Sequence, residues 1–393
     1  MEEALYQNFK IGLLLSKLNQ PLSEAEAIES CKIYFEIKSI EKINNLMILT
    51  ISPLPNATKH DEKISSDQTI ISDTKFSNHP IFKEIKVWLN RLAFSKEAYL
   101  IIGEPQNQFE KMKNEKTETK ISWEPYFKPL TSNFLKKQIE SENNKKQQKS
   151  KNFTTTPTFK ISIRNITSSD GKRSEPTISI KTLGKELANK NFTNVTMTNP
   201  AFEFTILNAE KEFIGIKLWE NLEEFEERRA HLRPVLHPTA INPRLGRAMI
   251  NLAGAKKEVF DPFCGAGGTL LEAITCGLIA TGTDIDPLMI KRAELNLKNE
   301  IVKLIEMDAL NWNEKIECIV TDLPYGKSSK LELELNDLIL KFLNHYSSLT
   351  DKIVFCFLDG TLFEIPKPWS VKYEFKIYIH KSMTRRIVVL EKK

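Results

Sequence analysis

Hydrophobic and polar positions change rhythm several times along this chain, and each change predicts a different kind of element. Residues 9 to 18, FKIGLLLSKL, form an apolar run of strand length, and LSEAEAIESCKIYF reads as a helix passing into another strand. This alternation predicts a small α+β unit. Two polar stretches interrupt it. PNATKHDEKISSDQT after Leu54 reads as an exposed excursion, and KKQIESENNKKQQKSK from Lys136 carries six Lys against two Glu and reads as a basic loop or helix surface. Order returns at FKISIR (Phe159 to Arg164). Ile180, Leu183 and Leu187 then share a helical face, and alternation around Glu203 with a turn at Asn208 to Lys211 predicts a hairpin. A second α+β unit therefore closes near Trp219.

From Thr239 the texture changes again. Leu245, Met249 and Leu252 fall at helical spacing, and from Val259 short apolar strands alternate with amphipathic helices. That is the pattern of a doubly wound, mostly parallel α/β sheet. YEFKIYIH and RRIVVLEK, separated by a short turn, add an antiparallel hairpin at the C-terminal end.

Composition narrows the class. A length of 393 residues suggests two or three domains, and 41% apolar with 27% charged residues is globular. The 56 Lys+Arg against 51 Asp+Glu permit a nucleic-acid partner without arguing for one. Arginine is more telling. Of 11 in the chain, five stand at Arg228, Arg229, Arg233, Arg244 and Arg247, a candidate RNA or DNA backbone contact because guanidinium offers phosphate a planar fork. The alternative is a solvated helix start paired with Glu223, Glu224, Glu226 and Glu227. None of the five cysteines forms a Cys-x-x-Cys pair, so neither a disulfide framework nor a metal site is expected. The N-terminus lacks the basic start of a secretory signal, and no apolar run approaches the ~20 residues of a membrane span. A cytoplasmic chain without a membrane partner is expected.

The chemistry concentrates at strand ends. VFDPFCGAGGTLLEA places three of the chain's 14 glycines at Gly265, Gly267 and Gly268 between a strand and a helix, where backbone can approach a ligand closely. The dinucleotide spacing fails at Leu270, and no Gly-Lys-Ser/Thr forms a phosphate loop. Asp261 would repel a pyrophosphate but suits an amine. Asp284, about 20 residues past the glycines, can accept from both ribose hydroxyls. Asp308 in IEMDAL can accept from an adenine amine, and Asp322 ends the strand of ECIVTDLPYGKSS. A ligand with an amino-acid end, a ribose and an adenine fits this series, which is S-adenosylmethionine. Cys264, in the glycine turn, reads as a small packing residue.

The strings DPFCGAGG, TDIDP, MDAL and TDLPYG, in this order, resemble the amino-group methyltransferases of the Rossmann-like class. RRAHLRPVLHPTAINPRLGRAMINLAG before them is similar to the entry of the catalytic domain of archaeal tRNA guanosine N2-methyltransferases, which modify position ten of tRNA. The resemblance implies an N-terminal ferredoxin-like domain (1–127), a THUMP RNA-binding domain (128–219), a linker (220–238) and a methyltransferase domain (239–393) with a seven-stranded sheet. It implies that Asp261 and Gly265 to Gly268 bind the methionine end of S-adenosylmethionine. Asp284 with Ile285 would meet the ribose, and Asp308 with Ala309 the adenine. Asp322, Leu323, Pro324 and Tyr325 become the target-base site, with Leu323 where proline is usual.

That site has a physical logic. A purine's exocyclic amine is a poor nucleophile because its lone pair is delocalised into the ring. The Asp322 carboxylate and the Leu323 carbonyl can accept its two N–H groups and favour a pyramidal nitrogen, Pro324 fixes the turn, and Tyr325 offers a face for an extruded base. Guanine suits a carboxylate best, since its N1–H and N2–H lie side by side. Methylation of a guanosine elsewhere in RNA or of adenine N6, or a catalytically silent tRNA-binding partner, are the other readings. The expected partner is tRNA, no protein partner is required, and the N-terminal half reads as a separable ruler for the catalyst.

Overall fold

The computed structural model describes residues 8–54, 80–106, 120–124, 157–166, 175–237, 240–324, 329–381 and 383–393. Both polar excursions lie mostly outside them, as does the expected boundary at 127/128. The N-terminal apolar runs become β1 (Phe9–Leu15), α1 (Gln20–Cys31), β2 (Phe35–Ile43), β3 (Leu46–Pro53), α2 (Pro80–Arg91) and β4 (Ser95–Gln106). The strands pair antiparallel in the order β2-β3-β1-β4, a ferredoxin-like layout.

β4 does not end this sheet. Its other edge pairs with β9 (Phe213–Glu220), which pairs in turn with β8 (Phe202–Asn208). β6 (Thr158–Asn165) lies parallel to β8, with α3 (Ile180–Ala188) crossing between them. With β5 (Lys120–Trp123) on β4 and β7 (Asn194–Val195) on β6, one sheet of nine strands results. The two expected N-terminal units thus share a backbone ladder. One apolar cluster runs beneath it from Phe9 and Trp88 to Leu183, Leu187 and Phe204. The expected hairpin is present. Ile180, however, is 47% exposed, so only Leu183 and Leu187 anchor α3.

The C-terminal half opens with α4 (Pro243–Ala253). Asn242 caps it by accepting from the Arg244 N–H, Pro243 starts it, and Gly254 at φ 64° ends it. Seven strands follow: β10 (Glu258–Asp261), β11 (Ile279–Asp284), β12 (Val302–Glu306), β13 (Ile319–Asp322), β14 (Lys352–Leu358), β15 (Trp369–His380) and β16 (Met383–Lys392). Their order is β12-β11-β10-β13-β14-β16-β15, parallel through β14 and closed by the expected antiparallel hairpin. This is the Rossmann-like sheet anticipated from the sequence. The chain reverses its winding between β10 and β13, and ligands bind such sheets at the carboxyl ends beside that point.

The two halves are joined by a buried seam. Leu22, Ala25, Ala93, Phe94 and Phe225 pack with Leu245, Met249 and Leu252 of α4 in one cluster. The fully buried Glu26 accepts from Ala93 N–H, Phe94 N–H and Asn251 Nδ2 at 2.7, 2.9 and 2.8 Å. Arg91 donates across the seam to the Asn251 side chain and the Ala255 carbonyl. The halves are therefore not separable at a loose linker.

Candidate active site

The turn after β10 is built by glycine geometry. Gly265 and Gly267 have φ of 50° and 83°, and a Cβ on Gly267 would stand 2.8 Å from the Leu297 side chain. α5 (Gly268–Thr275) begins directly after it. Two side chains hold the turn. Asp284 at the end of β11 accepts from Gly265 N–H at 2.9 Å and Asp286 N–H at 3.0 Å. Asn296, at the end of α6 (Pro287–Asn296), donates to the carbonyls of Ala266 and Val235 and accepts from Val235 N–H. Sequence reasoning missed Asn296, because nothing local distinguishes it from a solvated helix end.

Asp261 ends β10 with 1% exposure. It accepts from Thr321 Oγ1 at 2.6 Å and from Phe263 N–H at 3.2 Å. Burial pushes its carboxyl up to about 7, against those hydrogen bonds, and the nearby charge of Asp322 adds to the rise. Asp308 caps a single 3-10 turn by accepting from Leu310 N–H, with Ala309 buried behind it. Ile285 is 70% exposed beside Asp284. Burial raises the Cys264 thiol, which packs against Gly282, so its reading as a packing residue matches its surroundings.

Most of these positions converge, while Gly267 shapes the turn without lining the cavity. A cavity of about 650 Å³ is lined by Asp261, Gly265, Gly268, Asp284, Ile285, Asp308, Ala309, Asp322, Leu323 and Pro324. Its volume lies within the range usual for small-molecule sites. From α7 (Ser329–Tyr346), Asp337, Leu338 and Lys341 complete the wall. Tyr325 lies outside the described residues. Leu323 is fully buried in one apolar cluster with Phe260, Ile339, Phe342 and Phe357, and its N–H donates to the Cys356 carbonyl at 2.9 Å. A proline there would lack that bond.

The arginine cluster is a correction to the nucleic-acid expectation. Arg247 is 1% exposed and bonds Glu272, itself fully enclosed, and Thr275 Oγ1. Arg228 forms a two-pronged pair with Glu272 at 2.7 and 3.1 Å. Arg244 donates to the Ala93 carbonyl, and its guanidinium lies, with those of Arg228 and Arg247, 4.5 to 5.4 Å from the Phe225 ring centre. These three hold the seam between the halves and do not face a polynucleotide. Arg233 is also buried. Its Nε bonds the Arg228 carbonyl, while both Nη atoms sit against Gly268 with no hydrogen-bond partner among the described residues. Arg229 alone of the five is exposed, paired with Glu226. The local glutamate partners of the alternative reading are present, since Glu223 pairs with Arg228 at 2.8 Å and Arg247 at 3.5 Å and Glu226 pairs with Arg229, but the group is not solvated, because Arg228 and Arg247 also converge on the enclosed Glu272.

Comparison with known proteins agrees with this geometry. Residues 230–364 match a family model described as an RMKL-like methyltransferase domain. A probable tRNA (guanine(10)-N2)-dimethyltransferase of Methanothermococcus thermolithotrophicus is 31% identical over 169 residues, covering 98% of that protein and 38% of this chain. The chain belongs to the tRNA (guanine(10)-N2)-dimethyltransferase family. The family's longer member from Pyrococcus abyssi is 32% identical over 210 residues, which is 50% of this chain and 64% of that protein. The chain thus spans less than two thirds of the length of the first curated relatives it matches. The crystal structure of TrmN from Thermus thermophilus aligns with 98% of the chain and 100% of its own at 14% identity and a TM-score of 0.42, a general likeness only. Among the described residues no helix is long and apolar enough to cross a membrane.

Proposed function

We propose that this protein methylates the exocyclic N2 amine of a guanosine in tRNA, at position ten, using S-adenosylmethionine. The observation that carries the reading is the cavity onto which four strand ends deliver Asp261, Asp284, Asp308 and Asp322 beside a glycine turn. The residues present fit the cofactor. Asp284 and Ile285 would take the ribose and Asp308 and Ala309 the adenine. Gly265, Gly267, Gly268 and Asp261 would take the methionine end, where the two Arg233 Nη atoms against Gly268, without a hydrogen-bond partner among the described residues, suit a carboxylate. When bound, the cofactor supplies an electrophilic methyl group on a sulfonium.

The chain's own residues do the positioning. Asp322 accepts from the target amine, the Leu323 carbonyl is the second acceptor, Pro324 restricts the backbone beside them, and Tyr325 would offer its ring to an extruded base. The buried side chain and backbone bond of Leu323 replace the rigidity of the usual proline. The N-terminal sheet, with ferredoxin-like (1–127) and THUMP (128–219) portions, would hold the tRNA, in the cytoplasm where tRNA matures.

The test is transfer from labelled S-adenosylmethionine to unmodified tRNA transcripts, followed by nucleoside analysis. N2-methylguanosine or N2,N2-dimethylguanosine is expected, absent from a transcript altered at position ten. Asp322→Ala should lower turnover by about 10²-fold or more while cofactor affinity holds. Cofactor binding with no label in any transcript would overturn the reading.

A further inference from the structure

The register of the C-terminal sheet brings a second charged group to the base site. Asp322 lies opposite Cys356 in β14, and Cys356 lies opposite Ile387 in β16, with Leu358 opposite Arg385. Residues two apart on a strand share a face, so Arg385 and Asp322 stand on the same side of the sheet with the small Cys356 between them. Arg385 Nη1 donates to Asp322 Oδ2 at 3.1 Å, and the two side chains are only 6% and 14% exposed. The adjacent Arg386 turns to the other face, where it pairs with Glu374 and stacks on Phe357. The two arginines are therefore not equivalent surface charges.

The setting makes the pairing consequential. Asp322 shares the cavity with Asp261 from β10, Asp308 after β12, and Asp337 and Lys341 from α7, while Cys356 is its neighbour in β14. Carboxylates gathered in one enclosed space resist joint ionisation. A protonated Asp322 would offer a donor to the amine where an acceptor is needed. We propose that Arg385 is a positioning residue, which holds Asp322 as a carboxylate and fixes its rotation toward the target amine. This rests on the reading of Asp322 as the base site, and it adds a residue 63 positions away, on the last strand, to that site.

The experiment uses the full chain and two neutral variants, Arg385→Met and Arg385→Gln, so that a folding failure in one leaves the other. Carbon-13 carboxyl NMR of aspartate-labelled protein follows the ionisation of Asp322, with Asp322→Asn marking its signal. That signal should titrate about one pH unit or more higher in the neutral variants. On tRNA transcripts the acid limb of kcat should move the same way, with kcat at neutral pH down about tenfold or more. Cofactor affinity should stay within about twofold, and Arg385→Lys should recover part of the acid limb. An unchanged Asp322 titration would overturn the proposal, as would an equal loss of kcat at every pH that lysine does not recover. A wild-type protein inactive on tRNA would sink the tRNA reading alone, because the carboxyl titration still decides what Arg385 does.

Discussion

Asp261 couples the cofactor cavity to pH. With its carboxyl pushed up to about 7 by burial, it is protonated in mildly acidic solution, unlike an ordinary aspartate. A ligand bearing an ammonium and a sulfonium favours the ionised form, so binding below neutrality must expel a proton. Affinity for S-adenosylmethionine should therefore strengthen as pH rises from 5.5, with most of the change below about 7 and a plateau from there to 8. Calorimetry in buffers of different ionisation enthalpy would register the proton released at pH 6. Asp261→Asn should flatten the profile. A wild-type profile already flat would mean that Asp261 does not face the cofactor's charge. Stability responds with the opposite sign: a raised carboxyl favours the folded state at low pH, and this contribution is lost as pH rises through about 7.

At the scale of elements, the β10–α5 turn is the most constrained part of the site. Gly267 combines a left-handed φ of 83° with a close neighbour, since an added Cβ would stand 2.8 Å from Leu297, so an alanine meets both backbone strain and a packed side chain. Gly267→Ala should cost about 1–3 kcal/mol in chemical denaturation and weaken cofactor binding about tenfold or more, because the turn must shift to relieve the contact. Binding at wild-type strength in this variant would place the cofactor away from the turn. The arginine-rich segment behaves as an element too. The single-turn helix Phe225–Arg228 is pinned by its own buried ring and by Glu272, and Arg233 is buried further on, so the segment is anchored to the packed body at these points.

At the scale of the molecule, the N-terminal half supports the catalytic half as well as extending it. Removing residues 1–225 would strip Leu22, Ala25, Ala93, Phe94 and Phe225 from α4 and leave Asn251 without Glu26 and Arg91. It would also break a second tie, in which Glu29 binds Lys352, Lys372 and Tyr373 on the far sheet. The fragment is expected to aggregate or to lose cooperative melting, measured by gel filtration and scanning calorimetry. A monodisperse fragment that melts cooperatively and binds cofactor would restore the separable ruler.

Much of this was legible in the residues themselves. Strand ends, the glycine turn and the four aspartates are local signals: period-two alternation stops, a turn residue follows, and a carboxylate lands on the carboxyl edge wherever the strand sits in the sheet. The order of elements and the closing hairpin followed in the same way. Alternation held no clue to Arg385, because Ile387, Val388, Val389 and Leu390 are all buried and parity does not separate Arg385 from Arg386. What the tertiary structure decided was adjacency. Backbone ladders form between strands whose side-chain patterns do not specify the neighbour, so β4 could join β9 and merge two expected units into one sheet. A cluster of guanidiniums has the same composition whether it faces phosphate or a buried glutamate, and only the packing of Phe225 and Glu272 between the halves determined which.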